Sequence, residues 1–313
     1  MSGSLKKKKN LFIPLVFSFG AKIENMPVEA FLRDPTKITN SLRAIQGHFQ
    51  TDGILSYGYR QALSEALGIR SNNINTALTD LSEKSLGQIK ERVQDLTRHE
   101  IIQTAVEVAK RLRVLLPETL LKVAVMGPWT LANRLTNLSV EALINHPQVM
   151  SLTSKAVLNF VKAMGETGID LLIIHEMQVP AMNGNDQAKK LLKRFYSPSY
   201  NTAKFYDVDT YMMIRELSFP EATILNKAVN GLILPSEMGI EALASFKKIS
   251  VAIPVSLLEK EPDEIEAYLI KTGIQEAAKE SRLQLLTTSS QIPGTINKEF
   301  MIRGIQTIRE TIL

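Results

Sequence analysis

With 313 residues, 44% of them hydrophobic, the chain is long enough for one large α/β domain or two medium ones. It has no cysteine, which excludes disulfides, thiolate metal sites and cysteine nucleophiles together and fits a reducing, cytoplasmic setting. The net charge of +5 includes the run Lys6-Lys7-Lys8-Lys9, so the rest of the chain is close to neutral and lacks the clustered basic face that nucleic acid requires.

Residues 1–10 read as a disordered basic tail, and residues 11–313 as a single domain. No apolar run approaches the ~20 residues of a membrane span, and no signal-peptide core with a small-residue cleavage site follows the lysines. The stretch "LFIPLVF" is short and holds a proline, so it reads as part of a first strand over 12–18. Further short apolar runs predict strands over 52–57, 122–126, 170–175, 223–225, 231–234, 251–255 and 284–288. Between them lie amphipathic patterns at 37–49, 85–116, 147–167, 204–217, 262–280 and 297–312. Strands and helices alternating in this way, with no Gly-, Pro- or Ser-rich linker, predict a parallel (β/α)8 barrel. One interval breaks the rule. Only five residues separate Leu225 from Gly231, whereas a parallel crossover takes a dozen or more. Either 223–225 is not a barrel strand, or one α layer is shortened between Leu225 and Gly231.

The stretch "VAVMGPWTLANRL" (123–135) carries a buried-strand pattern into Gly127-Pro128-Trp129-Thr130 and then a helical pattern. Pro128 cannot donate to a ladder, so the strand stops there, and Thr130 offers a cap for the residues that follow. Strand ends of this kind are where α/β folds keep their ligand sites. Trp129, the sole tryptophan, therefore has two candidate positions: facing a pocket, or packed in the rim or core.

Several segments together resemble the uroporphyrinogen decarboxylase superfamily, which also holds the methylcobamide-dependent methyltransferases acting on coenzyme M. Residues 26–68, "MPVEAFLRDPTKITNSLRAIQGHFQTDGILSYGYRQALSEALG", are similar to the family's early segment. "GPWTLA" resembles its GPFTLA element, "GETGIDLLIIHE" its glycine-alanine-aspartate strand, and "SSQIPGTINKEFMIRGIQTIRE" its C-terminal IPPGTP turn and last helix. The resemblance implies a (β/α)8 barrel with its site at the C-terminal ends of the strands, and a carboxy-lyase or methyl-transfer chemistry.

The residues that perform those chemistries do not carry over. The decarboxylases' arginine-rich loop is matched by "VFSFGAKIENM", with only Lys22 basic; their catalytic aspartate falls on Tyr59 and their histidine on Ser290. A tyrosine, with a pKa of about 10, does not replace a carboxylate that must stay ionised. The zinc site implied for the methyltransferases takes a histidine and two cysteines, which a chain without cysteine does not supply. No metal and no cofactor are therefore expected.

What remains at the expected pole is a set of candidates. His175, Glu176 and Tyr59 are the catalytic candidates: a strand-end imidazole beside a carboxylate suits general acid or base work. Strand alternation puts His175 and Glu176 on opposite faces, which suits a rim histidine equally well. Phe17, Tyr57, Arg60, Gly127, Trp129 and Thr130 are the substrate-binding candidates, an aromatic lining with one cation that suits a flat ring. Ser289 and Ser290 follow the last strand, where barrels bind phosphate or simply turn. His48, His99 and His146 fall on helical segments away from that pole, and Asp207 and Asp209 read as first-turn charges of a helix. The expected partner is a small-molecule ligand, a tetrapyrrole or a corrinoid, with a second copy of the chain as a further candidate. Three functions stay open: a decarboxylase-like lyase, a zinc-free corrinoid methyltransferase-like component, and a non-catalytic binding barrel.

Overall fold

The computed structural model describes residues 10–58, 61–69 and 81–313. Nine of the ten residues of the expected basic tail, together with Tyr59 and Arg60, lie outside the described residues. The strands are β1 (Leu11–Phe12), β2 (Gly53–Tyr57), β3 (Leu120–Met126), β4 (Leu171–Glu176), β5 (Asp209–Ile214), β6 (Leu232–Pro235), β7 (Ile249–Ile253) and β8 (Leu283–Thr288). They form one parallel sheet in the order β1-β8-β7-β6-β5-β4-β3-β2. Helices separate the strands from β2 to β8, so the fold is the expected (β/α)8 barrel. Strands covered on both faces read as continuous apolar runs, and β3, β4 and β7 are buried along their whole length.

β1 has two residues and no regular ladder with β2. The seam is closed by two bonds instead: the Phe12 amide donates to the Asp52 carboxylate at 2.9 Å, and the Asp52 amide donates to the Phe12 carbonyl at 3.3 Å. No described helix is long and apolar enough to cross a membrane.

The short interval after Leu225 is resolved by a shift of elements. Residues 223–225 belong to the helix Phe219–Ala228, not to a strand, and β5 is the stretch Asp209–Ile214 that the sequence pattern placed inside a helix. The α layer between β5 and β6 is short but present. Asp207 takes a left-handed turn at φ 56° and Asp209 opens β5, so neither begins a helix. The chain before β5 is occupied by the helix Asp186–Phe205, which carries Pro198 inside it and packs against the helix Pro147–Gly165 and β5.

Lys122 occupies the inside of the barrel and is fully buried. Its ammonium donates to the Ile13 carbonyl, and to the Thr287 hydroxyl at 3.0 Å. Ile13 follows β1 and Thr287 lies on β8, so the side chain reaches them through the barrel interior. The Thr287 hydroxyl donates to the same Ile13 carbonyl at 2.8 Å. These bonds hold the β1 segment, whose own ladder is minimal. Burial drives the Lys122 pKa well below the usual lysine value, and no carboxylate opposes it. The unfolded chain therefore binds more protons than the folded one between that lowered value and 10.5, and stability rises with pH across the interval. Denaturant titrations from about pH 7 to about pH 10 should show this rise in the wild type and lose it in Lys122→Met, which should be at least as stable at neutral pH.

Candidate functional site

The C-terminal pole is organised around the end of β4. His175 pairs in register with Met126 of β3 and Met213 of β5. Lys122 faces the inside, so alternate residues of β3, and their in-register partners, do too. The row Met126, His175 and Met213 thus lines the barrel's inner wall near its mouth, each residue at most 4% exposed. Glu176 faces the other way, into the helix layer, as strand alternation predicts.

Glu176 is fully buried and accepts four hydrogen bonds. The amides of Trp129 and Thr130 donate to it at 3.1 and 2.7 Å, the Thr130 hydroxyl at 2.5 Å, and the Tyr196 hydroxyl completes the set. Two of these donors fall on each carboxylate oxygen, which uses the acceptor capacity of the group. The two amides belong to the second and third residues of the helix Pro128–Thr136 and are its first two N–H groups, because Pro128 has none. They have no partner within the helix, and its own N-cap residue, Gly127, makes no side-chain bond. Glu176 is therefore the cap of that helix, supplied from the neighbouring strand. Thr130 does not cap by itself, as the sequence suggested; its hydroxyl donates to Glu176 and accepts the Met177 amide at 2.8 Å.

Gly127 follows from the same geometry. A Cβ there would stand 2.1 Å from the Glu176 Oε1, so only glycine lets the carboxylate reach the helix end. Burial pushes the Glu176 pKa up to about 7, and the hydrogen bonds from Thr130, Tyr196 and Trp129 limit the rise. The Tyr196 and Tyr200 hydroxyls are shifted up by burial and by the carboxylate's charge.

Trp129 is fully buried, its indole edge-on to Phe195 of the helix Asp186–Phe205 at 6.5 Å. Of the two candidate positions, the structure gives the packed one. Phe17 and Tyr57 do come together, edge to face at 5.3 Å, with Phe31 against the other side of Phe17 at 5.7 Å. Ser289 and Ser290 are half-buried at the rim. The Ser289 amide donates to the Ile253 carbonyl at 2.7 Å, and the Thr288 hydroxyl donates to the Ser290 carbonyl at 2.8 Å. The turn that follows is tied to the N-terminal segment through Ile292, whose amide donates to the Leu15 carbonyl at 2.9 Å. Lys22 donates to the Ile296 carbonyl at 3.3 Å in the same region. His99 caps the helix Glu100–Leu115, away from this pole.

Among the described residues no group of three or more His, Cys, Asp or Glu is placed to hold a metal ion. The zinc site implied by the resemblance does not fit these side chains. Sequence reasoning missed Lys122 and Tyr196. A lysine inside the run "LLKVAVM" was the available signal for the first; nothing local marks the second.

No family model matches the sequence, and no curated protein matches it significantly. Among solved structures, a methyltransferase from Methanosarcina mazei superposes with a TM-score of 0.74 over 98% of this chain and 95% of its own, at 16% identity. At that identity the likeness establishes the barrel alone.

Two outcomes follow from the Glu176 network. The folded carboxyl holds its proton up to about pH 7, against 4.5 for the free group, so the folded state binds more protons in between and stability falls as pH rises across that window. Glu176→Gln should abolish this slope and lower stability by about 3 kcal/mol, because an amide nitrogen replaces one acceptor facing N–H and O–H donors. Calorimetry at several pH values checks both. Trp129→Phe should lower stability by on the order of 1 kcal/mol, since the lost packing is partly offset by removal of an indole N–H that has no hydrogen-bond partner. It should leave ligand affinity at the barrel mouth unchanged.

Proposed function

We propose that this chain is a divergent barrel of the uroporphyrinogen decarboxylase superfamily, on the methyltransferase side of it. It binds a tetrapyrrole-class ligand at the barrel mouth without performing either of the superfamily's reactions. The four-donor saturation of Glu176 supports a binding barrel over a lyase. The carboxylate faces the helix layer and not the mouth, and its acceptor positions are committed to the helix Pro128–Thr136 and to Tyr196. The absence of cysteine removes the thiolates that zinc-assisted methyl transfer uses.

The groups left to face a ligand are soft and apolar. Met126 and Met213 flank His175 on the inner wall, and the Phe17 and Tyr57 pair lies at the same end of the barrel. A lining of thioethers and rings with one imidazole suits a large planar macrocycle carrying few charges. The resemblance to a superfamily that holds the methylcobamide-dependent methyltransferases favours a corrinoid over a porphyrin as that macrocycle.

Absorbance titration of the purified protein with cobalamin and with a porphyrin tests the proposal. Saturable cobalamin binding that weakens in His175→Ala, with no conversion of uroporphyrinogen, is the expected result. Robust coproporphyrinogen formation, or no binding of either macrocycle, would overturn it.

A further inference from the structure

At the opposite, N-terminal pole of the barrel a cavity of about 710 Å³ opens between the helix Phe219–Ala228 and the segment 245–248 that leads into β7. Its floor lies at the start of three strands: Gly231 just before β6, Ser250 in β7 and Gln284 in β8. The volume falls in the range of small-molecule sites. The cavity is separate from the mouth by the length of the barrel and uses none of the residues assigned there.

The chemistry of its walls is one-sided. Lys227, Lys247 and Lys248 line it, and no aspartate or glutamate does. Among the described residues none of the three lysines takes part in an ion pair. Lys227 lies in the last turn of its helix, where the dipole favours a cation; no such reason accounts for Lys247 and Lys248. Burial and the charge of Asp209, at the start of β5, push the Tyr211 hydroxyl up to about 12. Three positive charges without an ion-pair partner around one concavity focus a positive potential into it.

The walls also carry a ring surface and neutral donors. Phe219 and Phe246 meet edge to face at 6.2 Å, and Phe219 keeps 43% of its surface exposed at the lip. Asn226 follows Phe219 and Thr223 along the cavity-facing side of the helix, at the three- and four-residue spacing that keeps side chains on one face, and Asn230 lines the cavity just beyond the helix end. Amides placed beside an exposed ring and a lysine cluster match a ligand with a planar base at one end and phosphate at the other.

We propose that this cavity binds a phosphate-bearing ligand with a planar aromatic ring, of the nucleotide class. Lys227, Lys247 and Lys248 hold the phosphates and Phe219 packs against the ring. All four side chains are at the surface, so their replacement leaves the barrel core untouched.

Isothermal titration of the full chain with ADP, and separately with inorganic pyrophosphate, tests this. ADP is expected to bind one to one with a dissociation constant below about 1 mM, and to weaken as salt is raised. Lys247→Ala/Lys248→Ala should weaken both probes at least tenfold with an unchanged melting temperature. Phe219→Ser should weaken ADP while leaving pyrophosphate as it was. No saturable ADP binding up to about 5 mM, or binding that the double lysine variant leaves intact, would overturn the proposal. Pyrophosphate binding that equals ADP binding and ignores Phe219→Ser would overturn the ring part of it. Because the probes and variants differ from those at the mouth, either site can fail without the other.

Discussion

A carboxylate sealed from water must find its hydrogen bonds in the protein, and Glu176 finds three of its four at one helix end. That constraint fixes three elements relative to one another: β4, which carries the group; the turn and helix after β3, whose amides it caps; and the helix Asp186–Phe205, whose Tyr196 donates to it. Each neighbour is shaped by the same need. Gly127 is small so that the carboxylate can approach. Pro128 begins the helix where no N–H is wanted. Thr130 links the cap back to the chain leaving β4. Trp129 fills the space beneath, against Phe195. A stretch with the appearance of a ligand-binding loop is in this way a joint between strand and helix layers.

The barrel interior poses the complementary problem. Its first strand is only two residues long, too short to hold the seam by ladder bonds. Lys122 and Thr287 supply polar contacts to Ile13 from inside, and Asp52 supplies them at the edge. A buried cation without a carboxylate is costly, and here the cost falls partly on the proton, through a lowered pKa. The two buried ionisable groups thus titrate in opposite senses, one with a raised and one with a lowered pKa. Both are tied to the architecture rather than to an exposed cleft.

Fold and chemistry separate in this chain. The barrel superposes over nearly the full length of a methyltransferase at 16% identity, while the cysteines that the resemblance requires for zinc binding are absent and its decarboxylation aspartate and histidine fall on Tyr59 and Ser290. One scaffold hosts many chemistries because its strand ends and loops vary independently of its core. The two poles of this barrel differ accordingly, one lined by thioethers, rings and an imidazole, the other by lysines and amides.

The barrel class was legible from the sequence because strands buried on both faces are continuous apolar runs at regular intervals, and six of the eight were readable in that way; the first, read over 12–18, is a strand only at Leu11–Phe12, the rest of that apolar run being irregular chain. β5 was not readable. "DTYMMI" begins with an acid and sits in a stretch whose apolar spacing also fits a helix. The Thr-Ile-Leu of the helix Phe219–Ala228 carries β-branched residues and was read as a strand, since short apolar runs do not distinguish the two. Opposite faces for His175 and Glu176 were likewise fixed by the period of two. What each buried charge does was decided only by tertiary structure. The partners of Glu176 lie 20 and about 46 residues away in the chain, and those of Lys122 lie 109 and 165 away. Burial acquires its electrostatic cost, and hydrogen bonds their donors, only when such distant segments are packed together, and no local pattern records that.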